Sequence, residues 1–158
     1  MVATDVYGLQ GISNVLVYKI YNAAVPQTPV LTELATLGAP CGQITGVAKY
    51  FNIEAASNQN VKIQLKVMEY FGAGFELKII DTNTSDVLHT WTGGPVNTTT
   101  NVTVVLDAEG LGEYSLQLCL NDCVATAYTT AEILMTIFDT DGITLTDQTM
   151  SISKYHTC

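Results

Sequence analysis

The chain has 158 residues, a length that suits one domain with some added segment. Charged residues are only 13% of it, about half the usual share, and fifteen acids against six bases leave a formal charge of −9. All six bases are lysine, so the dense arginine-bearing surface that phosphates favour is missing, and neither nucleic acid nor an anionic membrane is an expected partner.

In chain order, the first residues show no basic stretch followed by an apolar one, so no signal peptide is expected and synthesis in the cytoplasm is. No run approaches the roughly 20 apolar residues of a spanning helix. Val15 to Tyr21 is strand-like but apolar on both faces, and such a strand has to be covered on both sides. It reads either as a central strand or as an arm that adds to a neighbouring subunit's sheet. Val30 to Leu37 follows a proline-containing link; a helix there is too short to stand alone. Gly38-Ala39-Pro40 closes this segment, and residues 1–40 are read as an amino-terminal arm, with 41–158 as the main domain.

From Gly46 the pattern becomes regular. Phe51 and Ile53 point inward from the first strand; Val61, Ile63, Leu65 and Val67 alternate with Lys62, Gln64 and Lys66; Phe75, Leu77 and Ile79 alternate with Glu76 and Lys78. Asp81 to Ser85 is turn chemistry, Asp86 to Thr92 the next strand, and Gly93-Gly94-Pro95 a break. Asn101 to Leu106 leads into a polar corner with glycines at 110 and 112, and then into a strand with Tyr114, Leu116, Leu118 and Leu120 on one face. Asn121-Asp122 reads as a hairpin turn, Thr129 to Phe138 as a strand with Leu134 and Phe138 opposite Ile133, Met135 and Ile137, and Asp141-Gly142 as a hairpin into Ile143 to Ser153. Short strands, short turns and no helical period indicate a sandwich or small barrel.

Residues 43–138 resemble an immunoglobulin-like domain of the bacterial and phage type, through V-K-I-Q-L-K-V, F-E-L-K-I-I-D-T-N-T-S-D-V-L and G-L-G-E-Y-S-L-Q-L. Tyr114, just past its corner, resembles the tyrosine corner of such sandwiches. The antibody-type cysteine–tryptophan–cysteine spacing is absent, and Trp91 falls one hairpin late. The resemblance implies an all-β, antiparallel immunoglobulin-like sandwich with an amino-terminal arm and an extra carboxy-terminal strand. It also implies an accessory or scaffolding role, as in phage heads and tails.

Four cysteines, at 41, 119, 123 and 158, allow three complete pairings; a local 119–123 bridge and a subunit link through Cys158 are among the options, and four free thiols in a reducing cytoplasm are the expected state. Asp139, Asp141 and Asp147 near Gly142 invite calcium, but no glutamate closes the loop and a hairpin explains the same letters. His156 and Cys158 are two ligands at a terminus, too few for a metal site, and His89 reads as a rim residue. No nucleophile elbow or phosphate loop is present, and with two histidines and no arginine an enzyme is not expected, nor any cofactor. Three sequons begin at Asn83, Asn97 and Asn101; in a chain so rich in threonine and asparagine, chance accounts for them.

The expected function is therefore that of a non-catalytic structural subunit, a virion component of a phage such as a capsid decoration protein. It would form homo-oligomers or bind other subunits by strand addition or face packing, through Val15, Val17, Tyr18 and Ile20 and through Leu134 and Phe138. The alternative is a carbohydrate-binding or adhesion module on a cell or particle surface, with Trp91 and Tyr70 as the stacking platform.

Overall fold

The computed structural model of the chain describes residues 28–39, 41–42, 45–56, 59–72, 74–121, 127–138 and 145–158, with only the backbone at 145–147. Among these described residues there are nine strands: β1 (Val30–Gly38), β2 (Thr45–Glu54), β3 (Asn60–Phe71), β4 (Phe75–Asp81), β5 (Val87–Trp91), β6 (Thr99–Val105), β7 (Leu111–Leu120), β8 (Tyr128–Phe138) and β9 (Leu145–Thr157). They form two antiparallel sheets, β1-β2-β7-β4-β5 and β6-β3-β8-β9.

Within this order, β1-β2-β7-β4 facing β3-β8-β9 is the A-B-E-D against C-F-G arrangement of the immunoglobulin sandwich. β5 extends the first sheet beyond β4, and β6 extends the second beyond β3. The strand expected beyond Phe138 is β9, which takes the last place in the four-stranded sheet.

Alternation builds the core. Val61, Ile63, Leu65 and Val67 of β3 and Ile133, Met135 and Ile137 of β8 are fully buried against Phe51, Ile53, Leu77, Ile79, Leu116 and Leu118 of the opposite sheet. Each such side chain contributes about 1.5–3 kcal/mol by leaving water. Lys62, Gln64 and Lys66 point the other way and remain half-exposed.

Turn residues behave as their chemistry dictates. The Asp81 carboxylate accepts from the N–H groups of Asn83 and Thr84 at 2.8 and 3.1 Å, and that of Asp107 from Glu109 and Leu111 at 2.9 and 2.8 Å. Gly110 has φ of 80°, and its carbonyl accepts from Ala55 N–H at 2.9 Å; a Cβ there would collide with the Ala55 carbonyl.

Val30 to Leu37 is strand rather than the short helix alternative, because pairing with β2 supplies hydrogen bonds that an isolated helix turn could not sustain. Three expectations change. Asn121 does not open a hairpin, since β7 and β8 belong to different sheets and the chain crosses between them. Tyr114 lies in the E position rather than at the start of strand F, so it is not a tyrosine corner; its ring packs on Phe51 at 5.6 Å and its hydroxyl lies over Gly112. The thiols are not free: Cys41 is bonded to Cys119, not Cys119 to Cys123, and Cys158 is also in a disulfide. The β2–β7 register sets Gly46 opposite Cys119, and Gly46, lacking a Cβ, leaves room for the Cys41 sulfur.

β1 is exposed along almost its whole length, with only Leu31 packed on the core. Its start is tied to the other sheet by one side chain. The Gln148 amide donates to the Pro29 carbonyl at 2.8 Å and accepts from Leu31 N–H at 2.7 Å, as a neighbouring strand would. Glu33 of β1 pairs with Lys49 of β2 at 3.2 Å.

Candidate functional site

The outward face of the β6-β3-β8-β9 sheet carries the most distinctive chemistry. A register shift between Val67 and Glu69 reverses the alternation of β3, so Tyr70 turns inward and Phe71 outward. Phe71 pairs with Thr130 on one side, and Tyr155 of β9 pairs with Thr130 on the other. Tyr128, two residues earlier on β8, places its ring between the two. The ring centroids lie 4.8 Å apart for Phe71–Tyr128, at an interplanar angle of 32°, and 5.2 Å for Tyr128–Tyr155, at 20°.

These are offset stacks of the kind that stabilise cross-strand pairs. The middle ring spends both faces on its neighbours. The end rings each keep one, and it is they that are open: Phe71 is 44% and Tyr155 59% exposed. The next row along the sheet is Glu69, Glu132 and Ser153, followed by Lys66, Leu134 and Ser151. Aromatic faces, carboxylates and hydroxyls therefore share one outward face, and Thr130 is buried between the Phe71 and Tyr155 positions with its hydroxyl donated to the Lys154 carbonyl at 3.1 Å.

Trp91 and Tyr70 are brought together, but on the core side. Both rings meet Phe75 edge-on, at centroid distances of 5.8 and 5.6 Å, and both pack against the core while half-buried. The Tyr70 hydroxyl donates to the Gly72 carbonyl at 2.7 Å. They plug one end of the sandwich instead of forming an open platform. Leu134 and Phe138 are half-buried on the outward face, opposite Lys66 and Lys62 in the β3–β8 register. Val15, Val17, Tyr18 and Ile20 lie outside the described residues, as do Asp139, Asp141 and the Asp147 side chain. His89 bridges β5 and β6 through a 3.4 Å contact with the Thr100 hydroxyl.

A hollow of about 310 Å³ beside the 107–112 corner is lined by Glu54, Ala55, Glu109, Gly110 and Leu111. It offers two carboxylates and no nucleophile, imidazole or cation. Nearby, burial, with Asp81 and Asp107 adding to it, pushes the Tyr114 phenol up to about 12. No group of three or more metal-binding side chains gathers among the described residues.

No family model matches the chain, and no curated protein does. Among solved structures it is similar to the N-terminal domain of PorA, with TM-score 0.41 and 11% identity, covering 81% of this chain and 95% of that one. It is also similar to a conjugative transposon lipoprotein from Bacteroides eggerthii, with TM-score 0.36 and 10% identity over 80% of this chain and 94% of that one. A third similarity is to the collagen binding subdomain of the Enterococcus faecalis surface protein ACE, with TM-score 0.28 and 10% identity over 77% and 92%. Scores this low transfer no function, and the reading of the site rests on its own residues.

Proposed function

We propose that this chain is a non-catalytic recognition module of a cell or particle surface and that it holds carbohydrate at the Phe71–Tyr128–Tyr155 row. The observation that carries this reading is the pair of open terminal rings beside Glu69 and Glu132 on one outward sheet face. A pyranose lays its C–H face on an aromatic ring and directs its hydroxyls sideways, where carboxylates and serine hydroxyls accept or donate hydrogen bonds. Compartment supports the reading as well. The Cys41–Cys119 disulfide belongs to an oxidising environment, outside the reducing cytoplasm. No cofactor takes part, and the role is binding rather than turnover.

The test is a glycan array probed with the intact chain, its Tyr155→Ala and Phe71→Ala variants, and Trp91→Ala. Stacking on one ring is worth on the order of 1 kcal/mol, so Tyr155→Ala should weaken retention about five- to tenfold. Trp91→Ala should act only through stability. Retention unchanged by both end-ring variants, or no retention of any glycan by the native chain, defeats the proposal.

A second reading is favoured by β1. Val30, Leu34 and Leu37 on this outermost strand are 44%, 57% and 56% exposed, and among the described residues no strand pairs with its outer edge, which suits it to strand addition. This fits a structural subunit of a larger homo-oligomeric assembly, with a phage virion as the leading candidate and residues 13–21 as the added strand. Light scattering on the full chain checks it: a monomer at every concentration tested rules it out.

A further inference from the structure

From the placement of three sequons on the fold, we infer that this chain is N-glycosylated at Asn97 and Asn101, and that these glycans cover the outer edge of β6, with which no described strand pairs. The sequons are Asn83-Thr84-Ser85, Asn97-Thr98-Thr99 and Asn101-Val102-Thr103. As letters they are what chance delivers; their positions are another matter. All three acceptor asparagines and all three hydroxyl residues two places on are exposed. Asn52, which begins no sequon, has its side-chain oxygen buried. Asn97 lies in a turn with φ of 75°, its backbone N–H donates to the Val67 carbonyl at 2.8 Å, and the residue is exposed. Among the described residues no hydrogen bond holds the Asn97 side chain. Among the same residues, the one side-chain hydrogen bond to Asn101 is a 3.5 Å contact from the Gln64 amide.

The edge they flank needs cover. β6 is the outermost strand of its sheet. Sheet edges are ordinarily protected by lysine, proline, a bulge or brevity. Thr99–Val105 has no charged residue and no proline, pairs with β3 over seven residues without a register shift, and leaves Val105 63% exposed. Glycans at its head and on its third residue would supply the protection the side chains do not. Asn83, on the β4–β5 turn, is equally accessible, but β5, the edge strand it adjoins, is already protected by its five-residue length and by a register shift against β4.

The modification is a group transfer from a lipid-linked sugar diphosphate. The side-chain amide nitrogen bonds to the anomeric carbon and loses one proton. The bond from that carbon to the diphosphate oxygen breaks, and the lipid diphosphate leaves with the electron pair. The donor resides in the same oxidising compartments in which the Cys41–Cys119 bond forms.

The experiment is intact-mass measurement and peptide mapping of the chain purified from its native source. Peptides bearing Asn97 and Asn101 should be heavier by whole sugar residues. Replacement of Thr99 or Thr103 by alanine should abolish the increment at its own sequon, and replacement by serine should keep it. Unmodified peptides at both asparagines overturn the inference. The protective role has its own readout: the Asn97→Gln/Asn101→Gln double variant should associate at concentrations where the native chain is monodisperse, or exceed its oligomeric state. Unchanged association in that variant overturns the edge-covering role.

Discussion

Removing the Cys41–Cys119 disulfide gives the sharpest test of how this sandwich is held. The linked residues are 78 apart in sequence. In the chain-entropy description, opening a loop of that length returns about 4.5 kcal/mol of freedom to the unfolded chain at 25 °C. The native state loses little in exchange. Cys119 is buried, but on the outward side of β7 rather than in the core, and Cys41 is only half-buried. The Cys41→Ala/Cys119→Ala double variant should therefore keep the fold and lose stability. At about 2–4 °C per kcal/mol for a domain of this size, the melting temperature should fall by roughly 9–18 °C. In urea the dependence of stability on denaturant should steepen, because the unfolded chain becomes more expanded. Calorimetry and urea titration of the two proteins measure both. A fall of under about 3 °C with an unchanged urea slope would refute the reasoning.

Three further outcomes are expected. Tyr114 ionises near 12 in the folded chain against 10.0 ordinarily, so the unfolded state ionises first; stability is unaffected below pH 10 and lost as pH rises from 10 to about 12, and ultraviolet titration should show one late phenol that Tyr114→Phe removes. Gly110→Ala places a Cβ on the Ala55 carbonyl at a left-handed φ and should cost more than about 1 kcal/mol by urea unfolding, whereas Gly38→Ala, with open space around it, should cost less. Gln148→Ala removes both hydrogen bonds to the start of β1 and should cost about 1–3 kcal/mol, with faster amide exchange at Leu31.

Most strands were legible because their alternation is strict. Val61 to Val67 and Tyr114 to Leu120 each dedicate every second residue to the core. β1 was ambiguous for a physical reason: apolar residues at 30, 34 and 37 also fit one face of a helix, and the irregularity between Glu33 and Ala35 breaks the strand period. Asn121-Asp122 shows that the chain turns, but such letters do not say into which sheet. Cysteine spacing is equally silent, because the register that brings Cys41 over Cys119 is a tertiary fact.

The aromatic row was missed through one bulge. Unbroken alternation from Val67 puts Tyr70 outside and Phe71 inside; the shift after Val67 exchanges them. Tyr128 and Tyr155 are then aligned only by the β8–β9 register. Aromatic spacing along the chain contained no sign of it, whereas a clash between the β3 period and a full core would have been one.

The covalent link across the first sheet also decides how the molecule responds to being pulled. If tension is applied at the two chain ends, β1 can peel once the Gln148 amide lets go, whereas β9 runs into Cys158, which is itself in a disulfide and takes the load at that end. The 78-residue span between Cys41 and Cys119 cannot lengthen at all. At about 3.4 Å per residue, that withholds on the order of 260 Å of extension. A tether built from such units would yield first at β1 while its centre stayed shut.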